Sequence, residues 1–321
     1  MAGSFDAKST TDEVLAGINL NGSRVLVTGV SSGVGVETAR ALAAHGARVV
    51  GAARDIAKAE SATDSVRAAA EVGGGSLELI ELDLASLQSV RACADTLMAD
   101  GRTFSAIIAN AGVMATPFGR TKDGFETQFG TNHLGHFLLV NRIAPLIADN
   151  GRLVNLSSNG HRAADVDLDD PNFEHTEYDR WVAYGRSKTA NALFAVEFDR
   201  RHRDRGVRAC AVMPGVSPTG LARHLSQDDL AALGQSIAAA RAGAGLAPME
   251  YKTLPQMAAT SVWAAFVADA DEVGGRYLQD CQVAPVDDVP GFRDGVMSYA
   301  LDQERAKLLW TKSEALVGER F

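Results

Sequence analysis

A phenol and a primary amine stand four residues apart in Tyr184-Gly-Arg-Ser-Lys188, inside a stretch with helical apolar spacing. Residues four apart share one face of a helix, so both groups serve the same neighbourhood. An unperturbed tyrosine has a pKa near ~10 and is a poor base at neutral pH, but an adjacent ammonium favours its phenolate. The pair therefore suits chemistry in which a phenol gives up or takes a proton. Ser157 and Ser158 end a strand-like run. Near the N-terminus, Thr28-Gly29-Val30-Ser31-Ser32-Gly33-Val34-Gly35 follows one strand-like run and precedes an amphipathic one. Glycines there permit a tight turn and close approach of a pyrophosphate, which the free N–H groups of a helix start would bind. Taken singly, each feature has a plain alternative: a surface pair, a strand end, a structural turn. Their order, with Asn110-Ala111-Gly112 between them, predicts a nucleotide-binding sheet with a phenol and an amine delivered to its edge.

The choice of dinucleotide falls ~20 residues beyond the glycine turn, where an acidic residue accepts the ribose hydroxyl of NAD and a basic one accommodates the phosphate of NADP. Gly51-Ala52-Ala53-Arg54-Asp55 occupies that place. Ala53 has no acceptor, and Arg54 can grip a phosphate with paired N–H bonds. NADP(H) is favoured on this ground; Asp55 leaves NAD(H) open.

These groups need a scaffold, and the rest of the chain describes one. Strand-like runs at Arg24–Thr28, Ala47–Ala53, Leu77–Leu82, Ser105–Asn110, Arg152–Ser157, Val207–Met213 and Arg276–Gln279 alternate with helical patterns. The helical patterns are Gly35–His45, Ile56–Ala70, Leu87–Ala99, Asp123–Ile147, Trp181–His202 and Lys252–Val267. Several strands are nearly continuous apolar runs, as expected when both faces are covered. The alternation predicts an α/β fold: a doubly wound parallel sheet in three layers, forming a single domain. Residues 1–21 read as a lead-in, 22–284 as the nucleotide-binding domain, and 285–321 as a C-terminal extension on or near the substrate site. Two stretches interrupt the alternation, an acidic one at 159–180 and an Ala-, Gly- and Leu-rich one at 216–250 without a strand. Both follow carboxyl ends of strands, where such sheets bind ligands, so both are expected to shape a substrate site.

Composition narrows the function classes. The 321 residues carry a formal net charge of −9, which disfavours nucleic acid or an anionic membrane as partner. No apolar run approaches the ~20 residues of a membrane span, and the first residues lack the basic and apolar regions of a signal peptide. A soluble cytoplasmic protein is expected. Cys93, Cys210 and Cys281 are isolated, without metal-ligand spacing, and read as buried reduced thiols; no metal site is expected.

From about Gly22 to Gln279 the chain resembles the short-chain dehydrogenase/reductase superfamily. The resemblance rests on the glycine turn, Asn110-Ala111-Gly112, Ser158, Tyr184-x-x-x-Lys188 and Pro214-Gly215 in that order. Asn132-His133-Leu134-Gly135-His136-Phe137, the run Tyr184 to Asn191, and the late Tyr299 to Ala306 and Leu308-Leu309-Trp310 are similar to its retinol dehydrogenase and protochlorophyllide reductase-like branch. The resemblance implies a Rossmann fold with Tyr184 as acid/base, Lys188 lowering its pKa and binding the nicotinamide ribose, and Ser158 positioning the substrate oxygen. It makes Asn132 a holder of a relay water, with a buried polar residue satisfying the backbone as the alternative. Cofactor contacts are implied for Gly29, Ser31, Ser32, Gly33, Val34, Gly35, Arg54, Asp83, Leu84, Asn110, Ala111, Gly112, Pro214, Gly215 and Thr219, besides Tyr184 and Lys188. His133 and His136 read as packing residues, and His161 as packing or substrate-facing. The expected activity interconverts an alcohol and a ketone or aldehyde on a mainly apolar small molecule. Reduction of an activated C=C bond is the alternative, and a non-catalytic NADP-binding regulator a more distant one. Homo-oligomerisation through the helices at 123–147 and 181–202 stays open.

Overall fold

The computed structural model describes residues 5–217 and 224–321. Seven apolar runs become strands β1 (Arg24–Thr28), β2 (Arg48–Ala53), β3 (Ser76–Glu81), β4 (Phe104–Ala109), β5 (Ile147–Leu156), β6 (Arg208–Met213) and β7 (Tyr277–Gln279), joined by a short β8 (Gln282–Val283). Their order across one sheet is β3-β2-β1-β4-β5-β6-β7-β8. The pairs up to β7 are parallel and β8 alone is antiparallel. The sheet winds outward from β1 in one direction and from β4 in the other, which opens a crevice at their carboxyl ends.

Alternate side chains along the strands feed two cores, as the two-residue period of a strand requires. Leu26, Ile107, Leu153 and Ala209 face one cluster with Phe137, Phe194 and Trp310. Val25, Val27, Ile108, Val154 and Val212 face the other with Leu42, Val66 and Trp263. Helices Leu87–Asp100, Gly135–Arg142 and Arg180–His202 supply the first layer, and Gly33–Ala44, Asp64–Gly73 and Leu254–Phe266 the second.

The elements depart from expectation in four places. The helix expected over 56–70 is two, Ile56–Ala62 and Asp64–Gly73. Thr63 between them leaves helical geometry, and its hydroxyl donates to the Ala59 carbonyl at 2.8 Å. The helix expected over 123–147 begins at Thr127, passes through a π-helical turn at Gly130–Leu134 and ends at Arg142, so that β5 starts already at Ile147. The stretch 216–250 contains a helix, Gln227–Gly243, opened by a Ser226–Asp229 capping box. Finally, the sheet is not wholly parallel. β7 and β8 are joined by Asp280 and Cys281, both at φ 56°, a two-residue left-handed turn of the kind that suits a hairpin.

The stretch that leaves the sheet after Val216 is pinched at its base. Lys252 N–H donates to the Val216 carbonyl at 2.9 Å, and the Lys252 ammonium pairs with Asp280 beside it. In the acidic stretch the carboxylates have structural partners: Asp165 pairs with Arg305, Asp167 with Arg186, and Asp170 accepts the N–H groups of Glu174, His175 and Thr176. The C-terminal chain returns across residues 161–162 and then lays helix Gln303–Val317 along Arg180–His202, with Trp310 buried edge-on to Phe137 at 5.1 Å between ring centroids. At the other end, the short helix Thr11–Val14 is held by Thr11 Oγ1 donating to Glu37 at 2.6 Å. Among the described residues no helix is long and apolar enough to cross a membrane.

Candidate active site

A cleft of about 740 Å³ lies at the carboxyl ends of the central strands. All but two of the residues singled out from sequence line it: Gly29, Ser31, Ser32, Gly33, Val34 and Gly35 at one end, Arg54, Asp83 and Leu84 at the side, and Asn110, Ala111, Gly112, Ser158, Tyr184, Lys188, Pro214 and Gly215 across it. Asn132 stands behind this lining, and Thr219 lies outside the described residues.

At the glycine turn, Gly29 sits at φ 82°, and a Cβ there would stand 2.9 Å from the Ala111 Cα. A Cβ on Gly35 would come within 2.3 Å of the Gly29 carbonyl oxygen and 2.6 Å of Asn110 Nδ2. The turn is thus closed against the 110–112 segment with no room for side chains. Asn110 Nδ2 donates to the Thr28 carbonyl at 2.8 Å, and Thr28 Oγ1 accepts from Ala111 N–H at 3.0 Å. Ser32 precedes helix Gly33–Ala44 without a side-chain cap, so the first N–H groups of that helix keep their donor capacity. That uncapped end, opening on the cleft between close-packed glycines, fits a pyrophosphate.

Arg54 and Lys58 are exposed at the side of the cleft, and neither has a carboxylate partner among the described residues. Asp55 is engaged otherwise: its carboxylate accepts Lys58 N–H at 3.0 Å and caps helix Ile56–Ala62. Lys58 escaped the sequence reading because an isolated lysine on an exposed helix looks like any other; its signal was its place one turn beyond Arg54. Asp83 accepts Ala85 N–H at 3.1 Å and pairs with Lys122 at 3.0 Å, which fixes its carboxylate.

At the reactive end the two serines separate. Ser157 Oγ turns inward and donates to the Lys188 carbonyl at 2.7 Å, whereas Ser158 Oγ accepts Gly160 N–H at 3.0 Å and faces the cleft beside Tyr184. Gly160 has to be glycine, since a Cβ there would lie 2.6 Å from the Tyr184 ring. Both Tyr184 and Lys188 project from helix Arg180–His202 and are only 4% exposed. Lys188 Nζ donates to the Leu156 carbonyl at 3.0 Å and stands 5.8 Å from the centre of the Tyr184 ring. Burial pushes the Tyr184 phenol up to about 12, against a smaller lowering by the neighbouring Ser158 hydroxyl, and burial pulls the Lys188 ammonium down to about 8. In the chain by itself, burial outweighs any help the lysine gives the phenolate.

Asn132, in the π-helical turn, has its side chain committed: Oδ1 accepts Val113 N–H at 2.8 Å, while Nδ2 donates to the Val113 carbonyl and to Ser187 Oγ, both at 2.9 Å. It anchors the wall that carries Gly112. His136 donates from Nδ1 to the Asn132 carbonyl at 2.9 Å and receives Thr28 Oγ1–H at Nε2, also at 2.9 Å. His133 contacts Ser313 at 2.8 Å within an aromatic cluster. His161 is fully buried and does not line the cleft. Met114, Thr116 and Met257, which no spacing pattern links, complete this end of the cleft from two separate segments, together with Val216 at the start of the stretch expected to shape the substrate site. Among the described residues no group of His, Cys, Asp and Glu is placed to hold a metal ion.

Comparison with known proteins agrees with this geometry. A family model described as short chain dehydrogenase matches residues 23–230. A short-chain dehydrogenase/reductase of Penicillium rubens is 38% identical over 295 residues, spanning 90% of this chain and 83% of that protein. Retinol dehydrogenase 14 of Mus musculus is 37% identical over 310 residues, spanning 93% and 87%. Among solved structures, an uncharacterized protein from Mycobacterium Paratuberculosis superposes with a TM-score of 0.70 at 35% identity, covering 94% of this chain and 96% of that one. The uncapped glycine turn, the Ser158–Tyr184–Lys188 cluster and these likenesses agree: the chain belongs to the short-chain dehydrogenase/reductase superfamily, in its retinol dehydrogenase-like branch, and is an oxidoreductase that works with a nicotinamide cofactor.

Proposed function

We propose that this enzyme is an NADP(H)-dependent oxidoreductase that interconverts an alcohol and a ketone or aldehyde on a mainly apolar small molecule. The observation that carries the reading is that Ser158, Tyr184 and Lys188 line the same cleft as an uncapped helix start. Two hydroxyls converging there can hold one substrate oxygen between them, which suits a carbonyl or alcohol and has no counterpart requirement in C=C reduction.

The N–H groups at Gly33–Gly35 would hold the pyrophosphate, Arg54 and Lys58 the phosphate that distinguishes NADP, and Pro214 and Gly215 the wall against the nicotinamide. Once bound, the dinucleotide supplies or accepts the hydride. Ser158, with one lone pair occupied by Gly160 N–H, is turned to donate to the substrate oxygen. Tyr184, held protonated at neutral pH by its burial, is the acid that delivers a proton to that oxygen in carbonyl reduction. Lys188, screened from solvent beneath the ring, lends positive charge that matters most when Tyr184 must lose its proton in alcohol oxidation. Met114, Val216 and Met257 exclude water from the apolar part of the substrate.

The test is NADPH-dependent reduction of decanal and 2-decanone, followed by loss of NADPH absorbance. Wild type reduces at least one, and Tyr184→Phe loses on the order of 10²-fold or more in kcat while NADPH fluorescence titrations stay the same. A Tyr184→Phe variant as fast as wild type overturns the acid/base role. Reduction of 2-decenal at its C=C bond alone would transfer the assignment to double-bond reduction.

A further inference from the structure

His161 lies three residues past Ser158, buried, and belongs to none of the steps above. Its Nδ1 is 2.7 Å from the Ser158 carbonyl oxygen, and its Nε2 is 3.1 Å from the backbone nitrogen of Met297 in the C-terminal extension. A carbonyl can only accept and a backbone N–H can only donate. The two contacts together require a neutral imidazole carrying its proton on Nδ1. The hydroxyl of Tyr277, from β7, stands 3.1 Å from the same Nδ1. The His161 carbonyl accepts Tyr299 Oη–H at 2.6 Å, and Arg162 donates to the Gly291 and Val289 carbonyls at 3.1 and 2.6 Å. Apart from Tyr277, and Thr189 whose Oγ1–H also reaches the His161 carbonyl at 3.2 Å, these outer partners come from residues 289–299, more than a hundred positions along the chain from Ser158.

We infer that His161 is a positioning residue: through it the C-terminal extension fixes the main chain that presents the Ser158 hydroxyl to substrate. The inference rests on the proposed role of Ser158. The geometry makes the link specific, because Ser158 carries both the carbonyl that His161 grips and the hydroxyl that Gly160 N–H orients. Loss of the imidazole contacts leaves the Ser158 carbonyl only the His161 backbone N–H, at 3.0 Å, and loosens the turn at Asn159–Ala163 that aims the hydroxyl, which costs rate rather than cofactor affinity.

Three substitutions separate the contacts. His161→Phe removes both, and His161→Asn keeps a donor near Nδ1. Met297→Pro deletes only the N–H facing Nε2, at a residue whose φ of −70° a proline adopts without strain. With decanal and NADPH, His161→Phe is expected to lower kcat on the order of tenfold with NADPH binding intact. His161→Asn recovers most of that loss, and Met297→Pro is several-fold slower than Met297→Ala. Added to Ser158→Ala, His161→Phe has no further effect on kcat, because its influence runs through the serine. Independent losses in the double variant, or equal rates for Met297→Pro and Met297→Ala, overturn the inference. ¹⁵N spectra of the histidines supply a readout free of turnover: wild type shows His161 protonated on Nδ1, and Met297→Pro shifts its Nε2 resonance. A proton on Nε2 in wild type refutes the coupling outright. If Ser158→Ala itself matches wild type, the role of Ser158 falls instead, and the ¹⁵N result alone judges the link between extension and turn.

Discussion

Replacing Arg54 and Lys58 with alanine tests the dinucleotide assignment through a difference between two ligands. Both side chains flank the cleft and neither is neutralised by a carboxylate among the described residues, while Asp55 is spent on capping its helix. A charge-assisted hydrogen bond to a phosphate is worth about 1.5–3 kcal/mol. Because both cations are exposed, solvent screening places each at the low end, about 1.4 kcal/mol or a factor of about ten in Kd. Arg54→Ala and Lys58→Ala should each weaken NADPH roughly tenfold, and the double variant on the order of 10²-fold. NADH, lacking the phosphate, should change less than about threefold, which makes it an internal control for the integrity of the cleft. Nicotinamide fluorescence titrations in parallel give both constants, and added salt should weaken NADPH in wild type more than in the double variant. Equal losses for the two dinucleotides would mean that the two cations hold the cleft rather than the phosphate. Tighter NADH binding in wild type would refute the assignment altogether.

Two further outcomes follow from buried titratable groups. Lys188 titrates near 8 in the fold against an ordinary 10.5, so between those values the unfolded chain holds a proton that the folded one does not, and stability rises with pH across that window. Below pH 8 the full penalty is present, about 3 kcal/mol from the size of the shift; Lys188→Met should therefore raise the thermal midpoint at pH 7 and lose its advantage above pH 10.5. The Leu156 carbonyl keeps a donor in that variant, Asn191 Nδ2 at 2.9 Å. His133, His136 and His161 are held neutral by burial, with values near 3, 4 and 4 against the usual 6.5. Their unfolded forms take up protons first, so the thermal midpoint should fall as pH drops from 6.5 toward 4, and His133→Leu should make that slope shallower. A flat profile over this range would contradict the buried neutral state.

Much of the site was legible because its chemistry is local in sequence. Gly29 to Gly35 form one turn, Tyr184 and Lys188 one helix face, and Ser158 the end of a strand, so short motifs capture them. Lys58, Met114 and Met257 come together only through tertiary packing, and no single window contains their relationship. The strands were legible from apolar runs, with shifted edges: β5 starts at Ile147, where the pattern continues from an apolar helix without a break. The Asp280–Cys281 hairpin was hidden because Cys281 stands where such turns favour Gly. Thr63 was read as mid-helix since nothing in its neighbours announces the bond from its hydroxyl that ends the first segment. The helix at Gln227–Gly243 was passed over although its Ser226-x-x-Asp229 start was visible, because its scattered glycines weaken a helical reading.

The pinch at Val216 and Lys252 gives the intervening chain a fixed base. Its two ends are held together by one backbone bond and an ion pair to the β7–β8 turn, and its described helix Gln227–Gly243 is tied to the body by the Asp229–Arg180 and Arg241–Asp294 ion pairs. Closing a longer loop on a fixed base adds only about 0.6 kcal/mol per doubling of length. Natural variation, or a designer, can therefore lengthen that stretch at little cost so long as the base and these ion pairs are kept, while Tyr184 and Lys188, on a different helix, stay as they are.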